Sequence, residues 1–216
     1  MKTIVMIPTY NESENIAKLV QAIKQLKVAN LHVLVVDDNS PDGTWKIVED
    51  MRKKDKTIHL LKRTENKGRG LAGIAGFKEA LKLGADAVIE MDADYSHHPK
   101  YIPLLLEGLQ QGDMVLGSRF VKGGDDGDRP LWRQFITFGA NMYIKLFLGV
   151  KVKDCNSGYR CYKRKVLEAV HLDNMIAKGP DIVQEMLYRT HLQKFKILEV
   201  PISFEERKEG KSKLGM

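Results

Sequence analysis

The sequence predicts an α/β fold in which a mainly parallel sheet is covered by helices on both faces. Short apolar, often β-branched runs alternate along its first half with segments in which apolar residues recur at helical spacing. Strands joined through helices lie parallel, and such sheets are buried on both sides. The chain has 216 residues, of which 43% are hydrophobic and 29% charged, and this suits one well-cored globular domain.

The first half contains the alternating strands and helices that carry this prediction. The strands fall at residues 2–7, 31–36, 58–61, 87–91 and 113–117. The helices fall at about 12–26 and 45–53, then from the segment 66–73 to about residue 83, and then at 99–109. The second half is predicted to hold a long apolar and aromatic helix at 131–148, a turn with a strand at 154–163, helices at about 165–170 and 181–191, and a last strand at 195–204. Pro201 favours an edge or bulged position for that last strand, because proline cannot donate to a neighbouring strand.

Two aspartates follow the fourth predicted strand, at the end where open α/β sheets bind their ligands. Asp92 and Asp94 are separated by one residue, so in an extended chain both carboxylates point the same way and can share a cation. A hard divalent ion such as Mg²⁺ is commonly held by one or two carboxylates together with substrate phosphates. The alternative is a solvated acidic turn that caps the following helix.

Three other loops carry groups suited to a phosphorylated ligand. The segment 8–12 offers an aromatic ring, an amide and a carboxylate, although an N-cap at Asn11 also explains it. Asp37 and Asp38 suit hydrogen bonds to a base or ribose better than they suit a core. The glycine-rich, basic segment 66–73 suits phosphate binding at a helix N-terminus, and a flexible entry to the helix explains it equally well.

The segment that opens the second half has the composition of a lid and a covering helix. Residues 122–130 are polar and rich in glycine, which is typical of a mobile lid loop. The helix at 131–148 is predicted to cover the active site or to lie in a membrane interface. For most of its aromatic side chains, core packing is the favoured role.

Charge and cysteine content limit the classes of partner. Lys and Arg number 35 against 28 Asp and Glu, a net charge of +7, which favours polyanionic partners such as nucleic acid, an anionic membrane face or phosphorylated ligands. Nucleic acid is disfavoured because the cations are scattered and no recognition motif is present. The spacing of Cys155 and Cys161 indicates neither a zinc site nor a disulfide framework, and no apolar run reaches a membrane span. We therefore expect a cytoplasmic protein.

Several motifs, taken in order, resemble those of family 2 glycosyltransferases and in particular of the dolichol-phosphate mannosyltransferases, also called polyprenol-monophosphomannose synthases. They read PTYNE at 8–12, VDDNSPDGT at 36–44, NKGRG at 66–70, MDADYSHHP at 91–99, GSRF at 117–120, NSGYR at 156–160, VPISF at 200–204 and SKLG at 212–215. The resemblance covers nearly the whole chain. It implies a GT-A fold with a Rossmann-like sheet and one catalytic domain over 1–216, with a nucleotide-sugar half at about 1–120 and an acceptor and lid half at about 121–216.

The resemblance assigns expected roles to individual residues on the donor side. Pro8, Tyr10 and Glu12 are expected to line the guanine and ribose pocket, with Val36 and Asp38 beside the base and ribose. Asp92, Ala93 and Asp94 are expected to form the metal-binding motif, in which Asp94 is the direct ligand of Mg²⁺ or Mn²⁺ and Asp92 contacts the sugar nucleotide. Ser96 stands where some relatives carry a glutamine ligand, so the metal's shell is completed here by Ser96, or else by water or phosphate.

The resemblance also implies cations for the phosphates. Arg119, Arg207 and Lys213 are expected to contact the sugar diphosphate or the acceptor phosphate, and Arg133 the lipid phosphate. Asp92, Asp94, Arg119 and Arg133 are the expected catalytic group. The family usually continues past the SKLG segment into a helix or membrane spans, so we expect any membrane anchor to be missing, supplied by a membrane-anchoring partner, or removed from this sequence.

The expected reaction is transfer of mannose from GDP-mannose to a polyprenyl phosphate such as dolichyl phosphate, with inversion at the anomeric carbon. We expect the enzyme to work at the cytoplasmic face of a membrane, in peripheral contact with it. The runner-up is a polyprenyl-phosphate glucosyltransferase or another family 2 enzyme that uses a UDP-sugar. A non-catalytic module that binds nucleotide sugars or polyanions is the alternative outside the enzymes.

Overall fold

The computed structural model describes residues 1–127 and 131–204, apart from the side chains of residues 131, 133–136 and 138. The strands are β1 (Thr3–Thr9), β2 (Leu31–Asp37), β3 (Ile58–Lys62), β4 (Ala87–Glu90), β5 (Met114–Ser118), β6 (Arg160–Lys163) and β7 (Ile197–Pro201). The helices are α1 (Ile16–Lys24), α2 (Thr44–Lys54), α3 (Arg69–Lys82), α4 (Ile102–Gln111), α5 (Leu131–Leu148), α6 (Arg164–Ala169) and α7 (Ile182–Leu192). Every predicted element is present.

The strands form one sheet in the order β3-β2-β1-β4-β6-β5-β7. β1, β2, β3 and β4 pair in parallel, as do β5 and β7, which confirms the mainly parallel sheet. β6 runs antiparallel between β4 and β5, which the sequence did not indicate. Residues 156–158, which precede β6, lie beside Asp92 and Arg119 at the carboxyl ends of β4 and β5, so β6 runs back from that edge. β7 is an edge strand that ends at Pro201, as predicted.

Both faces of the sheet are buried, because alternate residues of its central strands point to opposite sides. In β1, Ile4 and Met6 join one apolar cluster and Val5 and Ile7 the other. α3, α6 and α7 pack on the first face, and α1 and α4 on the second. Full burial of one such side chain contributes about 1.5–3 kcal/mol. These layers fix the carboxyl edge of the sheet, where the strands release their loops.

One helix begins later than predicted. α1 starts at Ile16, and before it Asn15 and Ile16 donate their backbone N–H groups to the carbonyl of Glu12. Asn11 has a positive φ of 57° and lies in the preceding loop. The N-cap expected at Asn11 is therefore wrong. None of the helices within the described parts of the chain has the length and apolar character needed to cross a bilayer.

Candidate active site

The loop after β1 is fastened to the loop after β2 by three hydrogen bonds. The backbone N–H of Asn11 donates to Ser40 Oγ at 3.0 Å, that of Glu12 to Thr44 Oγ1 at 2.9 Å, and that of Ser13 to Asp42 Oδ2 at 3.0 Å. Burial would raise the pKa of Asp42, but hydrogen bonds from Thr44 and Ser13 outweigh it and lower the pKa below its ordinary value. The two loops therefore form one preorganised wall.

Four of the residues expected to bind the nucleotide lie on or beside this wall. Pro8 and Val36 are buried and face each other in the β1–β2 register. Tyr10 is exposed, whereas Glu12 is buried and accepts a hydrogen bond from Asn15 Nδ2 at 3.0 Å. These placements put the residues at one edge of the sheet, and their contact with a nucleotide stays a prediction.

Two adjacent acids at the end of β2 have different partners. Asp37 is fully buried and accepts hydrogen bonds from Ser40 N at 2.8 Å, Ser40 Oγ at 2.7 Å and Thr9 Oγ1 at 3.0 Å. The expectation that it binds a ligand is wrong, since its carboxylate is used within the fold. Asp38 pairs with Arg63 and accepts from the backbone N–H of Gly68 at 2.8 Å, so it joins the ends of β2 and β3 to the entry of α3.

The two aspartates after β4 do not continue that strand. β4 ends at Glu90, and the chain bends through residues 93–97. The prediction of an extended Asp92–Asp94 segment is therefore wrong. Asp94 Oδ1 accepts from the backbone N–H and the hydroxyl of Ser96, at 3.1 and 2.6 Å, so Ser96 orients Asp94. The acids do not cap the next helical turn either, because His98 Nδ1 accepts from Lys100 N there.

Arg69 ties the Asp92 carboxylate to a buried acid. Its Nη2 lies 3.2 Å from Asp92 Oδ1 and 2.9 Å from Glu90 Oε1. Burial lowers the pKa of Arg69, but the charges of Glu90 and Asp92 outweigh it and raise the pKa above its ordinary value. Sequence reasoning missed this residue, because it considered the glycine-rich segment as a phosphate loop or a flexible helix entry and not as a partner for acids. A cation at the first residue of a helix was the available signal.

His97 supports Asp92 from the other side. The backbone N–H of Asp92 donates to His97 Nδ1 at 3.1 Å, and the ring stacks on Tyr159 with centroids 4.9 Å apart. Burial lowers the pKa of His97, outweighing the nearby acids. The imidazole is thus neutral with its proton on Nε2, and its 3.7 Å approach to Asp92 Oδ2 is not an ion pair. Neither His97 nor Tyr159 was singled out from the sequence.

A divalent metal fits the pair of aspartates. Asp92 has 39% of its side chain exposed, so it can reach an incoming ligand, and Ser96 fixes one oxygen of Asp94. Within residues 1–127 and 131–204, no three His, Cys, Asp or Glu side chains are grouped as a metal cage. Carboxylate oxygens with an incomplete shell suit Mg²⁺ or Mn²⁺ that shares its coordination with substrate phosphates and water.

Arg119, which follows β5, lies between two carboxylates. Its Nε and Nη2 each lie 2.8 Å from an oxygen of Asp154, and its Nη1 lies 3.0 Å from Asp126 Oδ1. The rings of Phe120 and Phe204 lie 5.0 and 5.5 Å from the guanidinium carbon. Burial lowers the pKa of Arg119, but the hydrogen bond and charge of Asp154 outweigh it and raise the pKa.

A cleft of about 110 Å³ brings Asp92 and Arg119 together. Its other lining residues come from the 92–98 loop, the turn before β6 and the end of β7, and are His97, Asn156, Ser157, Gly158, Ile202 and Phe204. Gly158 leaves room there, because a Cβ would lie 3.3 Å from the His97 ring. Arg207 and Lys213 lie outside the described residues, as does the side chain of Arg133.

The turn before β6 is held by a buried arginine that sequence reasoning also missed. Arg160 is fully buried and donates to the carbonyls of Ser157 at 2.6 Å, Cys155 at 2.9 Å and Val183. These bonds hold the turn that contains Ser157, which lines the cleft. Its role is structural, since it satisfies carbonyls that would otherwise be buried without donors.

Comparisons with known proteins agree with this architecture. The sequence model of the family described as "Glycosyl transferase family 2" matches residues 4–170. An undecaprenyl-phosphate mannosyltransferase of Micrococcus luteus is 40% identical over 214 residues, covering 99% of this chain and 88% of that protein. A polyprenol monophosphomannose synthase of Mycolicibacterium smegmatis is 39% identical over 215 residues, covering 99% of this chain and 81% of that protein.

Solved structures share the fold. Glucosyl-3-phosphoglycerate synthase from Mycobacterium tuberculosis, in complex with Mn²⁺, UDP and phosphoglyceric acid, superposes with a TM-score of 0.70 at 19% identity, covering 97% of this chain and 72% of that one. A mannosyltransferase from Pyrobaculum calidifontis, in complex with GDP-Man and Mn²⁺, superposes with a TM-score of 0.65 at 19% identity, covering 95% and 56%. The chain therefore has the GT-A fold of these enzymes, as expected from the motifs.

Proposed function

The chain belongs to glycosyltransferase family 2, and from this premise we propose that it transfers mannose from GDP-mannose to a polyprenyl phosphate such as dolichyl phosphate. The observation that carries the proposal is the likeness, over 99% of this chain, to proteins named undecaprenyl-phosphate mannosyltransferase and polyprenol monophosphomannose synthase. A fold neighbour that was solved with GDP-Man and Mn²⁺ supports the choice of donor.

The donor nucleotide is assigned to the wall formed by the loops after β1 and β2. Tyr10 is exposed beside that wall, and Asp38 is held by Gly68 at the entry of α3. A base stacked on the tyrosine would find carboxylates nearby as hydrogen-bond acceptors for its N–H groups and for the ribose. The hydrogen bonds between the two loops keep these groups in place before the donor arrives, which lowers the entropic cost of binding.

The acceptor needs no strong general base. The second pKa of a phosphate monoester lies near 6, so at neutral pH its attacking oxygen is largely ionised. The protein's task is to hold this oxygen in line with the anomeric carbon on the face opposite the departing diphosphate. Attack from that face inverts the anomeric centre, and correct positioning alone can supply several kcal/mol of the barrier reduction.

Departure of the nucleoside diphosphate is the harder step, because negative charge builds on it. Asp92 and Asp94 would hold Mg²⁺ or Mn²⁺, and the bound ion would neutralise that charge as a Lewis acid. Arg69 and Ser96 fix the directions of the two carboxylates. This chain's contribution is thus a pair of oriented acids that need not reorganise during the reaction.

Arginines are assigned to the phosphates. Arg119 lines the same cleft as Asp92, so an anion bound to it would lie close to the sugar. A planar guanidinium holds phosphate oxygens in two parallel hydrogen bonds, which an ammonium cannot do. Arg133, Arg207 and Lys213 are proposed to complete the cationic surroundings of the donor and acceptor phosphates.

The acceptor is a lipid, and α5 offers a surface for its membrane. Trp132, Met142, Tyr143, Leu146 and Phe147 on this helix are 51–77% exposed. The expectation that its aromatic residues mainly pack into the core is wrong for Trp132, Tyr143 and Phe147. We place α5 in peripheral contact with the cytoplasmic face of a membrane, since apolar side chains on one face of a helix bind at the boundary between headgroups and acyl chains.

The test is a donor panel. Purified protein with Mn²⁺ is incubated with GDP-mannose, GDP-glucose, UDP-glucose or UDP-galactose and a short polyprenyl phosphate, and the glycolipid is identified by mass spectrometry. Product from GDP-mannose alone is expected. Product from UDP-glucose instead would favour the glucosyltransferase alternative, and donor binding without any product would favour a non-catalytic module.

A further inference from the structure

One nitrogen of His97 has no hydrogen-bond partner in the part of the chain that the structure describes. The other, Nδ1, accepts from the backbone N–H of Asp92 at 3.1 Å, so the ring is neutral and its proton is on Nε2. Within residues 1–127 and 131–204, the Nε2–H group donates to no side chain and no carbonyl. Only 4% of the residue is exposed. Since donors in such buried side chains are normally satisfied, this N–H group needs an acceptor from outside the chain.

The Nε2–H group is accessible from the cleft. Among the described residues, Nε2 is not one of the polar atoms that are both buried and without a partner, and His97 lines the cleft together with Asp92 and Arg119. Stacking on Tyr159, with ring centroids 4.9 Å apart, holds the imidazole in place. In the free protein such a donor meets water. A ligand that fills the cleft must therefore offer an acceptor in place of that water, or leave the donor unpaired.

Gly158 keeps open a space that His97 and Asp92 both border. A Cβ on residue 158 would lie 3.3 Å from Cε1 of the imidazole and 3.7 Å from Oδ2 of Asp92. The carboxylate of Asp92 is 39% exposed, so it can accept a hydrogen bond from a ligand. A ligand that enters this space meets a carboxylate on one side and the edge of the imidazole on the other. This part of the cleft thus offers an acceptor and a donor next to each other.

A hydroxyl group suits this pair better than an anion does. A hydroxyl can donate to Asp92 and accept from His97 at the same time. An ionised phosphate oxygen can only accept, and the nearby carboxylate would repel it. Phosphates are bound better by guanidinium groups, which offer charge and two parallel donors. Among the proposed substrates, the sugar is the part that carries several hydroxyls and no charge.

We propose that the Nε2–H group of His97 donates a hydrogen bond to one hydroxyl of the sugar that is transferred, which makes His97 a residue that determines sugar specificity. Its two nitrogens have separate roles, because Nδ1 binds the backbone of Asp92. A sugar that lacks this hydroxyl would leave the N–H group unpaired, and losses of this kind discriminate strongly between substrates. This inference rests on the proposed function, because it takes the ligand in the cleft to be the donor sugar.

Two substitutions separate the roles of the two nitrogens. In His97→Asn the side-chain amide lies near the position of Nδ1, so its oxygen can still accept from the backbone of Asp92, while the Nε2–H donor is lost. In His97→Gln the longer side chain places its NH₂ group near the position of Nε2, so the donor is kept and the acceptor is lost. Both variants lose the stacking on Tyr159, and they therefore form a matched pair.

Turnover with modified donors tests the inference. Transfer to farnesyl phosphate is measured for GDP-mannose and for its 2-, 3-, 4- and 6-deoxy analogues. In wild-type protein, the analogue that lacks the recognised hydroxyl should have a kcat/KM about ten- to a hundredfold below that of GDP-mannose, because it leaves a buried donor unpaired. This penalty should fall to about threefold or less in His97→Asn and stay at about tenfold or more in His97→Gln. The intrinsic reactivity of each analogue cancels, since the variants are compared with the same donor.

A purely structural role of His97 predicts a different pattern. If the ring only positions Asp92, both variants should lower kcat with every donor and leave all four penalties unchanged, and this result would overturn the proposal. Loss of the same penalty to the same extent in both variants would overturn it as well, because the retained donor of His97→Gln would then have no effect on the choice of sugar.

Binding without turnover separates this inference from the proposed function. GDP-mannose and GDP are titrated with Mn²⁺ present into wild-type protein and His97→Asn, using isothermal calorimetry. The variant should bind GDP-mannose about three- to tenfold more weakly and GDP with unchanged affinity. Equal weakening for both ligands would contradict the role of His97.

Wild-type protein that binds GDP-mannose but yields no mannolipid, or that selects UDP-glucose, counts against the proposed function instead. The comparison of a nucleotide sugar with its nucleotide still decides the role of His97 in either case, and it is made with UDP-glucose and UDP in the second. Wild-type protein that binds neither nucleotide sugar would overturn both proposals.

Discussion

Two regions at the carboxyl edge of the sheet are held together by different kinds of interaction. On the proposed donor side, formed by the loops at 8–13 and 37–44, backbone N–H groups donate to two hydroxyls and to the Asp42 carboxylate within one wall. On the acceptor side, formed by Arg119, the loop at 121–127 and α5, the main contacts are ion pairs and an exposed apolar helix face. The hydrogen bonds between the loops at 8–13 and 37–44 do not need to change when a ligand binds.

This difference teaches how one small domain can bind two anions. A nucleotide bound as proposed would meet a wall that is already held by hydrogen bonds, so little binding energy would be used to order loops. A lipid phosphate bound at Arg119, as proposed, would meet a guanidinium that already has two carboxylate partners. The donor side should therefore respond to substitution with large, all-or-none effects, and the acceptor side with graded changes in affinity.

The largest effect is expected from Asp94→Ala on the donor side. Losing the proposed metal ligand should lower kcat by about a hundred- to a thousandfold, the range seen when a preorganised electrostatic group is removed. Transfer of mannose with Mn²⁺ in excess measures the change, and Mn²⁺ titration by electron paramagnetic resonance reports the loss of binding independently.

Ser96→Ala separates the roles of the two side chains. Ser96 only orients Asp94 in this structure, so its loss should cost about tenfold or less. A loss equal to that of Asp94→Ala would show that the serine is itself a metal ligand. Full activity of Asp94→Ala at the same metal concentration would contradict the assignment of the site.

The second largest effect is a loss of folding stability, expected from Arg69→Met. Glu90 is almost completely buried, and Arg69 lies 2.9 Å from it, so the variant leaves a buried acid without its cation. We expect a loss of about 3 kcal/mol, which lowers Tm by roughly 10 °C in a domain of this size. Calorimetry measures it, and kcat should fall as well because Asp92 loses its tether.

The double variant Arg69→Met with Glu90→Gln is the control for that pairing. Removing both charges should recover at least half of the lost stability, since no uncompensated acid remains. Losses that simply add would show that Arg69 and Glu90 do not interact. Arg69→Lys should keep most of the stability, because the charge remains.

Much of the fold was predictable from sequence, for reasons that differ by element. α1 shows Ile16, Leu19, Val20 and Ile23 at helical spacing, and burial of that stripe is what forms it. β6 could not be placed, because four residues of strand carry no information about direction. Its antiparallel insertion depends on where the preceding turn leaves the chain, which is a property of the folded protein.

The site shows the same division. The acids at 92 and 94 were recognised from their spacing, but their geometry was not, since nothing in the sequence marks the end of β4 at Glu90. Arg69, His97 and Asp126 act through partners 23, 5 and 7 residues away, and only the folded chain brings them together. The sequence thus identifies groups with chemistry, whereas the neighbours that orient them come from packing.

A smaller effect is expected on the acceptor side from Leu146→Glu on α5. Leu146 is 77% exposed, so the change should leave Tm nearly unaltered. Placing a carboxylate on the apolar face should weaken sedimentation with vesicles of phosphatidylcholine and phosphatidylglycerol by about fivefold or more. Gln21→Glu on α1 is the matched control, because it adds one negative charge at an exposed neutral residue. An equal loss in that variant would show that net charge, rather than the helix face, controls binding.

The smallest effect lies at the opposite edge of the donor half, where His32 and His59 share a hydrogen bond of 3.0 Å between ring nitrogens. Their ring centroids are 5.3 Å apart. This distance is the length of the N···N hydrogen bond plus the distance from each nitrogen to the centre of its ring. The two rings therefore meet edge to edge, and one proton lies between their nitrogens. Burial, then the charge of Lys2, lowers the pKa of both histidines below the ordinary value of 6.5.

The folded state of this histidine pair takes up fewer protons than the unfolded chain below pH 6.5. The free energy of unfolding should therefore decline as the pH falls from 6.5, until the folded pKa values are passed. Urea unfolding at pH 7.5 and 5.5 measures this, and the decline should be smaller in His32→Asn. An identical decline in that variant would contradict the assignment, and transfer activity measured above pH 6.5 should be the same in both proteins, because the pair lies away from the cleft.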